Sequence, residues 1–243
     1  MSSSPASLPP ARRHEPNEGV AWFPARWGAI AWWVTLLGFV TLSFLVVSGT
    51  SRSMDSSMTR WVVTARTDAL TRVALAVTWA GTFPFIVVLA LGAAAGLDRW
   101  LATPWRSVSR VAAVLCADVV LVAAIKQLVD RPRPPIDLRV VTAITQSFPS
   151  GHTTATAAVV SVLVLTVVAA NRSWTAQLTA ELLGVLVVLA MGWSRVYLGV
   201  HYLSDVVGGM LLGLWLALST AWLFDIVSAG RRAPRTDRTV PST

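Results

Sequence analysis

Long runs of apolar residues restrict the fold of this chain more than any other feature. They lie at about 27–47, 73–97, 107–129, 152–170, 176–193 and 204–227, separated by polar connections that carry most of the arginines. A transmembrane helix needs about 20 mostly apolar residues, and inside a bilayer only helices and closed barrels satisfy their own backbone. A soluble core cannot absorb half a dozen such blocks. The balance of 54% hydrophobic to 13% charged residues agrees, since soluble domains carry roughly 25% charged. The expected fold is all-α: a polytopic membrane protein whose six transmembrane helices form one bundle.

Three regions follow. Residues 1–20 are rich in Ser, Pro and charge and are expected to be disordered, as is the basic tail at 230–243; residues 21–229 hold the six-helix unit. The first block is longer than the roughly 7–15 apolar residues of a signal peptide, so it is expected to stay as a helix. Between Gly49 and Thr71, Met54, Met58, Trp61 and Val62 recur at helical spacing, which predicts a short interfacial helix. Gly81 and Pro84 predict a kink or break inside the second block. Trp22, Trp27, Trp61, Trp100, Trp105, Trp174 and Trp193 fall near expected span ends, where amphipathic rings prefer to sit. The single cysteine, Cys116, excludes an intrachain disulfide, and no zinc-type Cys/His spacing is present, so no structural metal is expected. The net charge of +8 is scattered over loops and tails with no dense basic run, which argues against a nucleic-acid partner.

Against this apolar background three polar stretches stand out: Lys126 to Pro134, Pro149-Ser150-Gly151-His152, and Ser194 to Asp205. They read K-x6-RP, PSGH and SR-x5-H-x3-D. Lys126 is the only lysine, beside nineteen arginines. On a helix, His201 and Asp205 would share one face at i and i+4, where the carboxylate can fix the tautomer of the imidazole and leave its other nitrogen free. Arg195 offers a planar fork for phosphate oxygens. The span order also places all three stretches at one end of the bundle: the end of span three, the start of span four, and the connection between spans five and six.

The three motifs, in this order, resemble those of the type 2 phosphatidic acid phosphatase superfamily, which also includes vanadium haloperoxidases and bacterial lipid-pyrophosphate phosphatases. The resemblance implies a membrane phosphatase acting on a lipid phosphate or polyprenyl pyrophosphate through a phosphohistidine. It makes His201 the nucleophile, Asp205 its orienting partner, and His152 the group that protonates the leaving oxygen and then activates water. Lys126, Arg133, Ser150, Gly151 and Arg195 would bind the phosphate, whose charge spreads over several oxygens in the transition state. Gly151 opens a helix N-terminus, which favours an anion. With three cations at hand, no metal or other cofactor is expected. The expected partner is a membrane lipid, and the expected location is a bacterial inner or plasma membrane.

Once Lys126, Arg133 and Arg195 are set aside, the remaining basic residues lean towards the side of the termini. The positive-inside rule then predicts cytoplasmic termini and an outward-facing site. Three other readings share the sequence: a lipid phosphotransferase with an alcohol acceptor, an inactive lipid-binding member, and a transporter or flippase using Asp118, Glu181 and Asp225. Among these carboxylates only Asp118 lies deep in a span, which disfavours the transporter.

Overall fold

The computed structural model describes residues 25–171 and 173–232. The expected N-terminal tail, Trp22 and residues 233–243 of the expected C-terminal tail lie outside the described residues. Helices α1 (Ala25–Val47), α2 (Arg52–Thr64), α3 (Asp68–Ala80), α4 (Phe83–Leu101), α5 (Arg106–Val129), α6 (Gly151–Ala170), α7 (Trp174–Tyr197) and α8 (Leu203–Arg232) follow in order, with one 3₁₀ turn at Ile136–Leu138. Among the described residues, six helices are long and apolar enough to cross a membrane: α1, α4, α5, α6, α7 and α8. Their outer faces carry bare apolar side chains such as Val34, Leu37, Phe44, Val88, Leu182 and Leu186. Such a surface suits lipid rather than water.

Helix α6 is the hub, contacted by α4, α5, α7 and α8. Its buried residues are small: Thr153, Thr154, Ala155, Thr156, Ala157 and Ala158. Helix α8 meets it with Gly209 and Gly213, four apart. A methyl group on Gly213 would lie 2.5 Å from the Thr154 carbonyl oxygen, and one on Gly209 would lie 2.9 Å from that of Ser150. The two backbones therefore touch. Small residues at this spacing drive helix association where lipid tails are as apolar as side chains. The close approach lets the Ser150 N–H donate to the Asp205 carbonyl at 3.0 Å, which locks the start of α6 to the start of α8.

Each connection has a local cause. At the far end of the bundle, Asp98 accepts from the Ser107 and Val108 N–H groups at 2.7 and 3.1 Å, satisfying donors that the first turn of α5 cannot pair internally. At the site end, α2 and α3 pack on the end of α7 through Val62, Ala74, Val196 and Tyr197. Arg66 fastens them, donating to the Tyr197 and Leu138 carbonyls at 2.9 and 2.8 Å. Phe148 anchors the loop before α6 from within, stacked on Phe39 with 5.8 Å between ring centroids.

Two expectations need correction. The break expected at Gly81 and Pro84 is present, and it changes the bounds of the span: the apolar block at 73–97 is the end of α3 followed by α4, with Gly81 and Thr82 between them. Thr82 is extended and Pro84 sits in the first turn of α4, so the helical ladder cannot run through. Gly81 also leaves room for its neighbours, since a methyl there would meet the Met191 sulfur at 2.8 Å and the His152 ring at 3.3 Å, and the end of Met191 would have to move. The fifth span does not stop at Trp193; α7 continues to Tyr197, so Arg195 projects from a helical last turn instead of a connection.

The α6–α8 contact can be tested directly. Gly213→Val should cost roughly 1–3 kcal/mol by overpacking and lower the thermal midpoint of the detergent-purified protein. Gly92→Val, at a position with open space around it, should leave the midpoint within about a degree of that expected from helix propensity alone.

Candidate active site

The motif residues lie at the ends of four helices, α5 to α8, and in the loops beside them. Helix α5 closes with Lys126 in its last turn, and Asp130 in the left-handed conformation (φ 42°) turns the chain out of it. Proline then prevents a return to helix at Arg131-Pro132-Arg133-Pro134. The two arginines of this run reach different partners. Arg131 pairs with Asp205 and Asp55 at 2.5 and 2.7 Å. Arg133 donates to the Val200 carbonyl at 2.7 Å and lies 3.1 Å from His201 Nε2.

His201 and Asp205 do meet, with Nδ1 3.4 Å from Oδ2, though not as two rungs of one helix. Helix α8 begins at Leu203, and His201 lies in the turn before it. Asp205, in the first turn of α8, reaches back so that Oδ2 accepts from the Tyr202 N–H at 2.8 Å, the acceptor half of a capping box. That cap fixes the carboxylate where His201 can use it. A guanidinium has no acceptor, so the Arg133 contact requires His201 Nε2 to accept and places the imidazole proton on Nδ1, facing Asp205.

The remaining predicted residues surround this pair. Lys126 donates through Nζ to the Gln146 carbonyl. Arg195 is buried and donates to Thr78 Oγ1 on α3, while its Nε has no partner among the described residues. Ser150 is the N-cap of α6. Its own N–H is taken by the Asp205 carbonyl, whereas its hydroxyl accepts from Thr153 at 3.0 Å and so keeps its own O–H for a further acceptor. Gly151 opens α6, and a methyl there would make only an ordinary 3.7 Å contact with Val122. Packing within the chain does not demand a glycine at that point. His152 follows on the first turn of α6, beside Gly81. All eight residues singled out by the motifs are thus at one end of the bundle.

Three further side chains join them without a motif. Asp55 on α2, Arg131, and Ser147, which donates to Asp205 Oδ2 at 2.5 Å, are all buried. In sequence Asp55 looks like part of a polar helix face, and Arg131 looks no different from Arg133.

Electrostatics outside the helices follow from burial. The His201 imidazole is pushed down to about 3, chiefly because burial penalises its charged form; Asp205 opposes the shift and the Arg133 and Arg195 charges add to it. Burial also lowers Arg133. Arg131 is held above its ordinary value, because Asp205 and Asp55 together outweigh its burial. The site therefore presents a neutral imidazole beside permanent cations.

The PAP2 superfamily model matches residues 107–228. Over 182 residues the chain is 31% identical to phosphatidylglycerophosphatase B of Bacillus subtilis, covering 74% of this chain and 88% of that protein. It is 37% identical over 71 residues to an undecaprenyl-diphosphatase of Sulfolobus acidocaldarius, 29% of this chain and 30% of that one. The crystal structure of a transmembrane PAP2-type phosphatidylglycerolphosphate phosphatase from Bacillus subtilis superposes with a TM-score of 0.72 at 26% identity, over 80% of this chain and 96% of that chain.

The depressed His201 value has a consequence for stability. An unfolded histidine takes up a proton below about 6.5, whereas the folded one resists to about 3. Between these values the unfolded state binds the extra proton, so stability should fall as pH drops through that window. Thermal midpoints measured from pH 7 to pH 4 should decline less steeply in His201→Asn than in the unmodified protein; parallel declines would contradict the assignment.

Proposed function

The chain belongs to the PAP2 superfamily, and from that premise we propose that it is an integral membrane lipid phosphatase working through a phosphohistidine. One observation carries the reading: a neutral, oriented imidazole, His201, shares the end of an apolar bundle with Lys126, Arg133, Arg195 and a second histidine. A phosphoryl group is a small anion whose oxygens need donors from several directions. The three cations come from three different elements, and their protein partners include carbonyl and hydroxyl oxygens that a phosphate oxygen can replace. The buried Arg195 Nε and the space above Gly151 suit a bound oxyanion. With these charges supplied by side chains, the reaction needs no metal.

In the proposed sequence, His201 Nε2 attacks phosphorus as Arg133 transfers its donor to a phosphate oxygen. The bond from phosphorus to the lipid oxygen breaks, and His152, protonated in the substrate complex, passes its proton to that oxygen. The new imidazolium–phosphoryl cation keeps its Nδ1–H towards Asp205. His152 then takes a proton from water as the water oxygen attacks phosphorus, the N–P bond breaks, and phosphate leaves. Proton transfers of this kind are worth about 10²–10⁴-fold.

The substrate we favour is a glycerophospholipid phosphate. The phosphatidylglycerophosphatase relative aligns over most of its length, the diphosphatase relative over a third or less. By the distribution of arginines, the site faces outward and the termini lie in the cytoplasm.

Phosphate release by the detergent-purified protein should be measured with phosphatidylglycerophosphate, phosphatidic acid and polyprenyl pyrophosphate, in the presence of chelator. Turnover should persist in chelator and fall at least about 10³-fold in His201→Ala. Release unaffected by that substitution would refute the mechanism, and loss of release in chelator would refute metal independence. Arg195→Lys keeps the charge but loses the planar fork, so its turnover should drop by roughly tenfold or more.

A further inference from the structure

Behind His201, on the side away from Arg133, lies a line of buried charges that the motifs do not account for. Asp205 is fully buried. Its Oδ2 accepts from Ser147 Oγ at 2.5 Å and the Tyr202 N–H at 2.8 Å, and lies 3.4 Å from His201 Nδ1, which has no closer partner among the described residues. Its Oδ1 accepts from Arg131 Nη1 at 2.5 Å. The second nitrogen of that guanidinium, Nη2, donates to Asp55 Oδ2 at 2.7 Å. Asp55 also accepts from the Ser204 hydroxyl at 2.6 Å and, through Oδ1, from the Ser204 N–H at 3.0 Å. The face of Arg131 is covered by Tyr202, 4.5 Å from its ring centroid. Asp55 belongs to α2, outside the stretch that the family model matches.

We propose that Asp55 and Arg131 are positioning residues for the reaction, holding Asp205 so that Oδ2 stays on His201 Nδ1 and keeping the buried cluster negative. This rests on the phosphohistidine reading above. Two physical points support it. A carboxylate pinned at one oxygen by a rigid fork cannot rotate, so its other oxygen is aimed. In addition, Arg131 alone would cancel the negative charge that Asp205 offers to a developing imidazolium. Asp55 supplies the second carboxylate, and the three groups together carry one net negative charge. The spacing of the loop makes this possible: Arg131 and Arg133, two residues apart, serve opposite nitrogens of the same imidazole, one through Asp205 and the other directly.

The hydrogen bonds and ion pairs of Asp55 and Arg131 go to Asp205, Ser204, Ser51 and each other and not, among the described residues, to Lys126, Arg133, His152 or Arg195, so their effect should appear in turnover and not in substrate affinity. The test uses the full chain in detergent, with Asp55→Asn and Arg131→Lys made singly and in an Asp205→Asn background. Phosphate release from phosphatidylglycerophosphate gives kcat and KM. Histidine ¹⁵N spectra, with the His201 signals identified by their loss in His201→Ala, report the surroundings of Nδ1 without any substrate. Asp55→Asn keeps the size of the side chain and an acceptor for Ser204; Arg131→Lys keeps the charge but cannot bridge two carboxylates as a fork. Each should lower kcat about tenfold or more with KM within about twofold. Each should also shift the His201 Nδ1 signal as the carboxylate moves, while Arg133 holds the Nδ1–H tautomer, and each should lose most of its kinetic effect once Asp205 is Asn.

An unchanged kcat in both variants, or the same fold-loss in the Asp205→Asn background, would overturn the proposal; the second outcome would mark a purely structural role. If the unmodified protein releases no phosphate from any lipid, the functional reading fails by itself. The spectra then still decide the positioning role, which an unchanged His201 Nδ1 signal in both variants rejects.

Discussion

Asp205 is the residue on which the rest of the site end depends. Its carbonyl accepts from Ser150 and so ties α8 to α6. Its carboxylate accepts from Arg131, Ser147 and Tyr202 and faces His201. One residue thereby joins two membrane-spanning helices, the loop at 130–150 and, through Arg131 and Asp55, the short helix α2. A buried carboxylate is tolerable only when its lone pairs are filled, and here the groups that fill them are those that fix the geometry of the imidazole. Burial and positioning are the same event. The glycines of α8 are the precondition, because without the backbone contact at Gly209 and Gly213 the Asp205 carbonyl would not reach the Ser150 N–H.

The cations divide into two kinds by what they touch. Arg131 is bound to two carboxylates, so its charge is spent within the protein. Lys126, Arg133 and Arg195 are held by the Gln146, Thr145 and Val200 carbonyls and by the Thr78 hydroxyl. A carbonyl or hydroxyl orients a cation without neutralising it, so these three keep their full charge for an anion. Their arrangement would be wasteful in a purely structural network, where carboxylate partners would relieve both burial and mutual repulsion. On the proposed reading, the cost is recovered when the phosphoryl group binds.

Much of this was legible in the sequence because bilayers and phosphates impose simple demands. Apolar blocks long enough to span identify themselves by length, and the three motifs bring cations, histidines and a carboxylate to one end of the bundle, which packing alone does not call for. What stayed hidden depends on tertiary contact. Asp55 sits in Arg-Ser-Met-Asp-Ser-Ser-Met, a run that reads as a solvated helix face; only the docking of α2 on α7 and α8 buries it. Arg131 and Arg133 are equivalent as letters, and only the path of the loop sends one to Asp205 and the other to His201. The end of α7 is not legible because Ser194 and Arg195 look like a polar connection, whereas both are buried, with Ser194 donating to the Met191 carbonyl and Arg195 to Thr78. The α6–α8 contact that occupies the Ser150 N–H likewise leaves no local trace in the sequence.

The broken second block shows most clearly how the fold serves the site. A continuous helix across 73–97 would carry Thr78 and Gly81 along a single straight rod. The break at Gly81-Thr82 instead lets α3 lie against the end of α7 while α4 enters the bundle on its own axis. Thr78 then meets Arg195, and Gly81 gives His152 and Met191 the room they occupy. The same excursion carries Arg66 onto the Tyr197 and Leu138 carbonyls and brings Asp55 over the start of α8. Residues 48–82 therefore do more than connect α1 to α4. They form the part of the end wall that supports Arg195, His152 and Asp205 from outside the motif-bearing helices, and a membrane protein with only six straight spans would have had to find those supports elsewhere.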